Sequence, residues 1–411
     1  MPSISDPEFL VIGAGLAGLA AANTLHAAGR EVQILEKGDS VGGRVNTDIR
    51  EGFLLDRGFQ VLLTAYPELP RHLELDQLDL RPFLRGANVW NEESFLEISD
   101  PRDSVLGAIN AIRTSLLTYR DRAKLIKLIL ELRRANSGTM SRGDDRSTRE
   151  FLVESGFSDR SIEAIWEPLF SGIQLTQSLE GSARLARLIL RCLVSGAAAV
   201  PASGMVAIPN QMARHLPQDS IRLNSGVMEI RGREVLLDNG DAVRARQIVL
   251  AVEESSAARI LGKATPKFRS QWHAYFSAEE PPNLSKAIHL LPVAHGPCRN
   301  VAIMSNVAPE YAPEGEMLLV AAGVASSGVP PLVEVRKQLT KAFGHQVETW
   351  RLLKSGHVLE AQPRFEPKAA FRRKMTAQGR GVVVAGDHCT TPSIQGALVS
   401  GRLAAQHLLT P

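Results

Sequence analysis

The chain opens on two apolar runs with a helical pattern between them. Phe9-Leu10-Val11-Ile12 is continuous and short, the pattern of a buried strand. Leu16 to Ala28 carries apolar residues at helical spacing, and Gly29 stands where such a helix stops. Arg30 to Leu35 alternates as a second strand and ends at Glu36. Residues 100 to 200 read as mostly helical. Asp100-Pro101 and Ser104 offer helix-start chemistry, and Ala108 to Leu132 is apolar at helical spacing with Arg and Lys interleaved. Ser147 to Leu152 forms a capping box, and residues 183 to 194 predict another apolar-basic helix. A helix to Leu216 and a strand meander follow, with strands at Ile221 to Ile230, Glu234 to Leu237 and Ala245 to Val252. Asp238-Asn239-Gly240-Asp241 is the hairpin turn. Strands are expected at Trp272 to Ser277, Ala287 to Leu291, Val301 to Ser305 and Met317 to Ala322, then a helix from about Leu332 to Phe343. The C-terminus closes with a β-rich run ending at Gly386-Asp387 and an alanine-rich helix to Leu409.

The glycines at the first strand–helix junction change this picture from pattern to chemistry. In Gly13-Ala14-Gly15-Leu16-Ala17-Gly18, the first glycine permits a tight turn and the second lets backbone approach a pyrophosphate. Gly18 lets the helix pack closely on the strand. The helix N-terminus offers free N–H groups to phosphates, and Glu36 can accept from ribose hydroxyls. A second glycine loop follows at once in Lys37-Gly38-Asp39-Ser40-Val41-Gly42-Gly43-Arg44, where the guanidinium can reach a diphosphate.

These motifs, with Asp56-Arg57-Gly58-Phe59-Gln60 and the far segments Gly381 to Asp387 and Ser393 to Ala397, resemble the flavin amine oxidase and phytoene desaturase superfamily. The resemblance implies an α/β fold. A Rossmann-like FAD-binding domain would combine residues 1–67, 200–262 and 363–411. A mixed α+β substrate domain with a helical cap would combine 68–199 and 263–362. It implies FAD held by Gly13, Gly15, Leu16, Ala17, Gly18, Glu36, Lys37, Gly42, Gly43, Arg44, Gly58, Phe59, Gln60, Val227, Gly386, Asp387, Ser393, Ile394, Gln395 and Ala397. Pro168 to Gly172, Val200 to Met205 and Ser305 to Pro309 extend the resemblance through the middle of the chain.

Composition excludes other classes. Over 411 residues, Lys plus Arg is 47 against 44 for Asp plus Glu, so a net charge of +3 makes no case for nucleic-acid binding. Cys192, Cys298 and Cys389 have no paired spacing, which suits a reducing, cytoplasmic setting and no metal site. The apolar start lacks a basic flank and is broken by glycines, so no cleavable leader is expected. No apolar run is long enough to span a bilayer, although the basic amphipathic helices leave peripheral membrane contact open.

The resemblance also implies an FAD-dependent oxidoreductase. Two departures concern the substrate. The strand from Trp272 to Phe276 has no lysine of the kind that amine-oxidising members carry behind the flavin, and Lys286 is expected on the next strand, out of register. The position of the second aromatic of their cage falls near Ser393. The expected reaction is therefore dehydrogenation of a small hydrophobic substrate, with oxygen or a quinone as electron acceptor. An amine or amino-acid oxidase releasing hydrogen peroxide and a non-catalytic flavin-bearing assembly protein are the alternatives. Weak catalytic candidates are Trp272, Tyr275 and His388.

Overall fold

A computed structural model describes residues 7–100, 103, 105–135, 145–279, 282, 284–326, 328–371 and 381–410. Five parallel strands form one sheet in the order Ile221–Arg222, Val32–Leu35, Phe9–Ile12, Gln247–Leu250, Val382–Val384. Strands distant in sequence are thus neighbours in space. Alternation of side chains decides the layers. Phe9 and Val11 pack in the core with residues of the Leu16–Ala27 helix, whereas Leu10 and Ile12 pack with Val235, Leu237 and Val243 of a three-stranded meander. The Ile394–Leu409 helix lies against the first helix. The contact is close because Gly401 has no side chain: a Cβ there would stand 2.0 Å from the Ala17 carbonyl oxygen.

A seven-stranded sheet builds the second body. Its order is Arg351–Pro363, Phe268–Ala278, Met317–Val324, Asn300–Ile303, Ile288–Leu290, Gly86–Trp90, Phe95–Ser99, antiparallel except for the pair Ile288–Leu290 and Gly86–Trp90. Trp272, Ala274 and Phe276 face Leu339 and Phe343 of the Leu332–Phe343 helix, while Tyr275 turns toward the parallel-sheet body. Helices Val105–Arg113, Tyr119–Arg134, Thr148–Glu154, Glu167–Gln174 and Ala183–Ser195 make a cap, and four of them supply its core of Leu128, Leu132, Phe151, Phe170 and Leu190.

The elements differ from the sequence reading at identifiable points. The helix expected over Ala108 to Leu132 is two helices, because Thr118 and Asp121 form a reciprocal capping box that starts a new one. The expected helix start at Pro101 and Ser104 lies outside the described residues. The strand expected over Ile221 to Ile230 is divided: Ile221–Arg222 joins the parallel sheet and Val227–Arg231 begins the meander. The strand expected over Ala245 to Val252 forms as Gln247–Leu250, and a further strand, Ala242–Arg244, precedes it. The Ser147–Glu150 capping box and the Leu332–Phe343 helix form where expected.

Candidate active site

The two glycine loops lie side by side. The Gly42 amide donates to the Ala14 carbonyl at 2.8 Å, and Gly15 and Gly42 pair as a bridge. Gly13 has φ +100°, a conformation that favours glycine, and makes the turn out of the strand. Gly18 is a packing residue: an added Cβ would meet the Gly13 carbonyl oxygen at 1.9 Å. Gly15 is different. It has ordinary backbone angles, and a Cβ built on it meets nothing within 4 Å. No side chain caps the first turn of the helix, and no acidic residue stands in that turn. The first-turn N–H groups and the dipole therefore face open space, the arrangement that receives phosphates.

Arg44 joins the two ends of the chain. Its guanidinium donates to Asp387 Oδ1 at 2.6 Å and to the Ala361 carbonyl at 2.9 Å. Burial works against the Arg44 charge, but Asp387 beside it holds its pKa above the ordinary value. Glu36 sits at the end of the second strand, accepting from the Ala14 amide at 2.6 Å and the Gly38 amide at 2.7 Å. Gln60 Nε2 donates to the Arg44 carbonyl at 2.7 Å, while its buried Oε1 has no hydrogen-bond partner. Ser393 caps the last helix by accepting from the Gly396 amide at 3.0 Å.

Gly13, Gly15, Glu36, Gly42, Arg44, Gln60, Asp387 and Ser393 border one cavity of about 1320 Å³. That exceeds the roughly 300–1,000 Å³ of a pocket for a single small ligand. One end carries Gly13, Gly15, Leu16, Ala17, Glu36, Lys37, Gly42, Gly43, Arg44 and Val227. Phe59, Gln60, Gly386, Asp387, Ser393, Ile394 and Ala397 continue that lining. The other end reaches beneath the cap, where Leu63, Phe83, Leu169, Ile173, Ile189 and Leu290 supply apolar walls.

A family model for flavin-containing amine oxidoreductases matches residues 16–409. The chain belongs to this family. The open Gly15 cradle, the uncapped helix N-terminus and the unpartnered Gln60 oxygen fit FAD, the flavin of that family. Among its relatives, an L-amino-acid oxidase of Bungarus fasciatus is 34% identical over 166 residues, covering 37% of this chain and 32% of that protein. A 4,4'-diapolycopene oxygenase of Methylomonas sp is 47% identical over 62 residues, covering 15% and 12%. The matched stretches thus span about a third or less of these relatives. An oxidoreductase structure from Methanosarcina mazei shares the fold, with a TM-score of 0.75 at 19% identity over 98% of this chain and 100% of that one.

Within this family member, three of the residues expected to touch FAD stand behind the cavity wall. Gly18 packs on Gly13. Gly58 lies under Gln271, whose Oε1 accepts from the Phe59 amide at 3.1 Å. Gln395 Oε1 accepts from the Glu68 amide at 2.9 Å and ties the last helix to the turn at Leu69–Arg71. The three catalytic candidates do not line the cavity either. Trp272 is buried on the opposite face of its strand, with its Nε1 unpartnered. The Tyr275 hydroxyl donates to the carbonyls of Asp56 at 2.9 Å and Gly58 at 3.2 Å. His388 is buried against Gly386, where a Cβ would meet its ring at 2.3 Å. Lys286 is exposed and precedes the Ile288–Leu290 strand.

Two cavity residues carry no sequence signal. Gln271 begins the stretch of strand that passes Phe59, one residue before the Trp272 to Phe276 run read as the wall. Tyr66 lines the cavity and hydrogen-bonds Ser393; burial pushes its phenol well above the ordinary value, against the pull of that bond. Ser393 itself is the small polar residue expected at that position, but an aromatic stands beside it.

Proposed function

We propose that this enzyme dehydrogenates a small hydrophobic substrate, introducing a double bond. The observation that carries this reading is the wall of the cavity beneath the cap. Leucine, isoleucine, valine and alanine dominate it, and the carboxylates bordering the cavity are Glu36, Asp100, Glu253 and Asp387. Asp387 is neutralised by Arg44, and Glu36 belongs to the glycine-loop end. An apolar surface of this kind favours an apolar ligand by the area it removes from water, about 25 cal/mol per Å². A desolvated ammonium needs a carboxylate partner, so an amine substrate would have to reach Asp100 or Glu253.

FAD would be held by the cavity-lining residues named above, with Gly15 and Arg44 nearest its diphosphate and Glu36 at its ribose. When bound, it supplies the two-electron acceptor for the hydride that leaves the substrate. The protein's part is to exclude water and to orient the substrate. Tyr66, Ser393 and Gln271 are the polar groups that would fix its position. Oxygen or a quinone takes up the electrons, and peripheral membrane contact would suit delivery of a lipid-soluble substrate.

The second reading, an amine or amino-acid oxidase, is favoured by the likeness to the Bungarus fasciatus L-amino-acid oxidase and by Tyr66 beside Ser393. Anaerobic titration of the FAD-loaded protein separates the two. Bleaching of the flavin absorbance by isoprenoid or porphyrinogen extracts, and not by amines or L-amino acids, is the expected result. Bleaching by an amine, with peroxide released on admitting air, would overturn it.

A further inference from the structure

Two cap helices expose apolar side chains that a water-facing surface does not need. Among the described residues, twelve large hydrophobic side chains are exposed, and five of them lie within residues 106–130: Leu106 at 74%, Ile112 at 68%, Tyr119 at 72%, Ile126 at 60% and Leu130 at 45%. In the Tyr119–Arg134 helix they form a stripe. At about 100° per residue, Tyr119, Ala123, Ile126 and Leu130 fall within an arc of about 60°. The opposite face holds the buried Asp121, Leu128 and Leu132. The helix therefore has two apolar faces, one for the cap core and one for the outside.

Charge flanks the outer stripe. The helix has six basic residues against Asp121 and Glu131, a net of +4 where the whole chain carries +3. Asp121 is committed to Thr118 and Ser158, and Glu131 pairs with Lys127. Arg122 is also committed: it donates to the carbonyls of Ala111 and Thr114 and locks the two cap helices together. Arg120, Lys124, Lys127 and Arg134 lie on one flank of the stripe and Arg133 on the other. The same two helices close the cavity, through Ala111, Leu125, Ile129 and Arg133.

We propose that the outer face of residues 106–134 docks on an anionic lipid surface, with Ile126 and Leu130 buried among the acyl chains and the lysines and arginines at the headgroups. An apolar stripe with basic flanks is what an interfacial helix requires, the basic residues being drawn to an anionic leaflet. A second copy of the chain fits less well, since a two-fold contact would set one +4 helix against another. Docking here places the cavity wall at the bilayer, which gives a lipid-soluble substrate a short path to it. In that purpose the inference rests on the apolar-substrate reading; the surface does not.

The test is flotation of the FAD-loaded full-length protein with vesicles of phosphatidylcholine alone or with about 30% phosphatidylglycerol. The protein is expected to float with the anionic vesicles and to be released by high salt. Ile126→Glu with Leu130→Glu, and separately Lys124→Glu with Lys127→Glu, are expected to weaken binding by about tenfold or more while flavin absorbance and melting temperature hold. Should the apolar pair disturb folding, the exposed lysine pair carries the test. Failure to float with anionic vesicles, or flotation unchanged in a folded variant, would overturn the proposal. So would a dimer that these substitutions dissociate, which would make the face a self-interface. Flotation reads the surface and the anaerobic titration reads the cavity, so either can fail alone.

Discussion

Gly15 and Asp56 make opposite use of space. The extended backbone of Gly15 suits any residue, and no atom of the protein lies where its Cβ would be. Gly15→Val is therefore expected to leave the melting temperature of the FAD-free protein within about 2 °C while weakening FAD binding by more than about tenfold. Flavin fluorescence titration and thermal melts check both halves. Asp56 is enclosed: Thr47, the Met205 amide and Tyr311 donate to it at 2.6, 3.0 and 3.0 Å. Burial outweighs these bonds and pushes its carboxyl from 3.8 up to about 6. A raised carboxyl stabilises the fold fully below pH 3.8 and loses that contribution as pH rises through about 6. The expected loss is on the order of 3 kcal/mol. Urea midpoints across this range should fall with pH more steeply in the parent than in Asp56→Asn; equal slopes would contradict it. Glu36, Arg44 and Asp387 are legible in the sequence because each sits in a motif whose spacing carries meaning. Tyr66 and Gln271 are not, because only the fold brings them to the cavity.

At the scale of elements, the pairing of the first and last helices matters most. Gly401→Leu would place a side chain where the Ala17 carbonyl oxygen lies 2.0 Å from the Cβ. Overpacking of this kind costs about 1–3 kcal/mol. The expected result is a lower melting temperature together with weaker FAD binding, because Ala17, Ser393 and Ala397 of the same helix pair line the cavity. Unchanged FAD affinity in a folded Gly401→Leu protein would separate the helix contact from the site. The first helix is readable from the glycine motif and apolar run that open it, and the last from its alanine-rich composition. The Arg351–Pro363 strand was not, although it is long, because it is an edge strand with mostly half-buried positions on both faces and shows no alternation. The first two cap helices look like one in the sequence because apolar spacing runs on past Arg113, and only the Thr118–Asp121 box breaks it.

On the scale of the whole molecule, one cavity is built from both ends of the chain and from the cap. Its glycine-loop end gathers three sequence segments, each with its own motif. Its apolar end gathers single residues from many elements, so no local pattern announces it, and substrate chemistry is read from the assembled walls. If both ends enclose one cofactor, binding stabilises the entire fold. At a free FAD concentration about a hundred times the Kd, the stabilisation is about 2.7 kcal/mol. Arg44→Ala should reduce that gain, since it removes the Asp387 contact across the site.

The most direct measurement is a calorimetric titration of the FAD-free full-length protein with FAD, followed by thermal melts with and without it. One FAD per chain is predicted, with a single melting transition that moves up on binding in the parent and moves up less in Gly15→Val at the same FAD concentration. A protein that takes up no FAD, or whose melting is the same with and without it, would contradict the account.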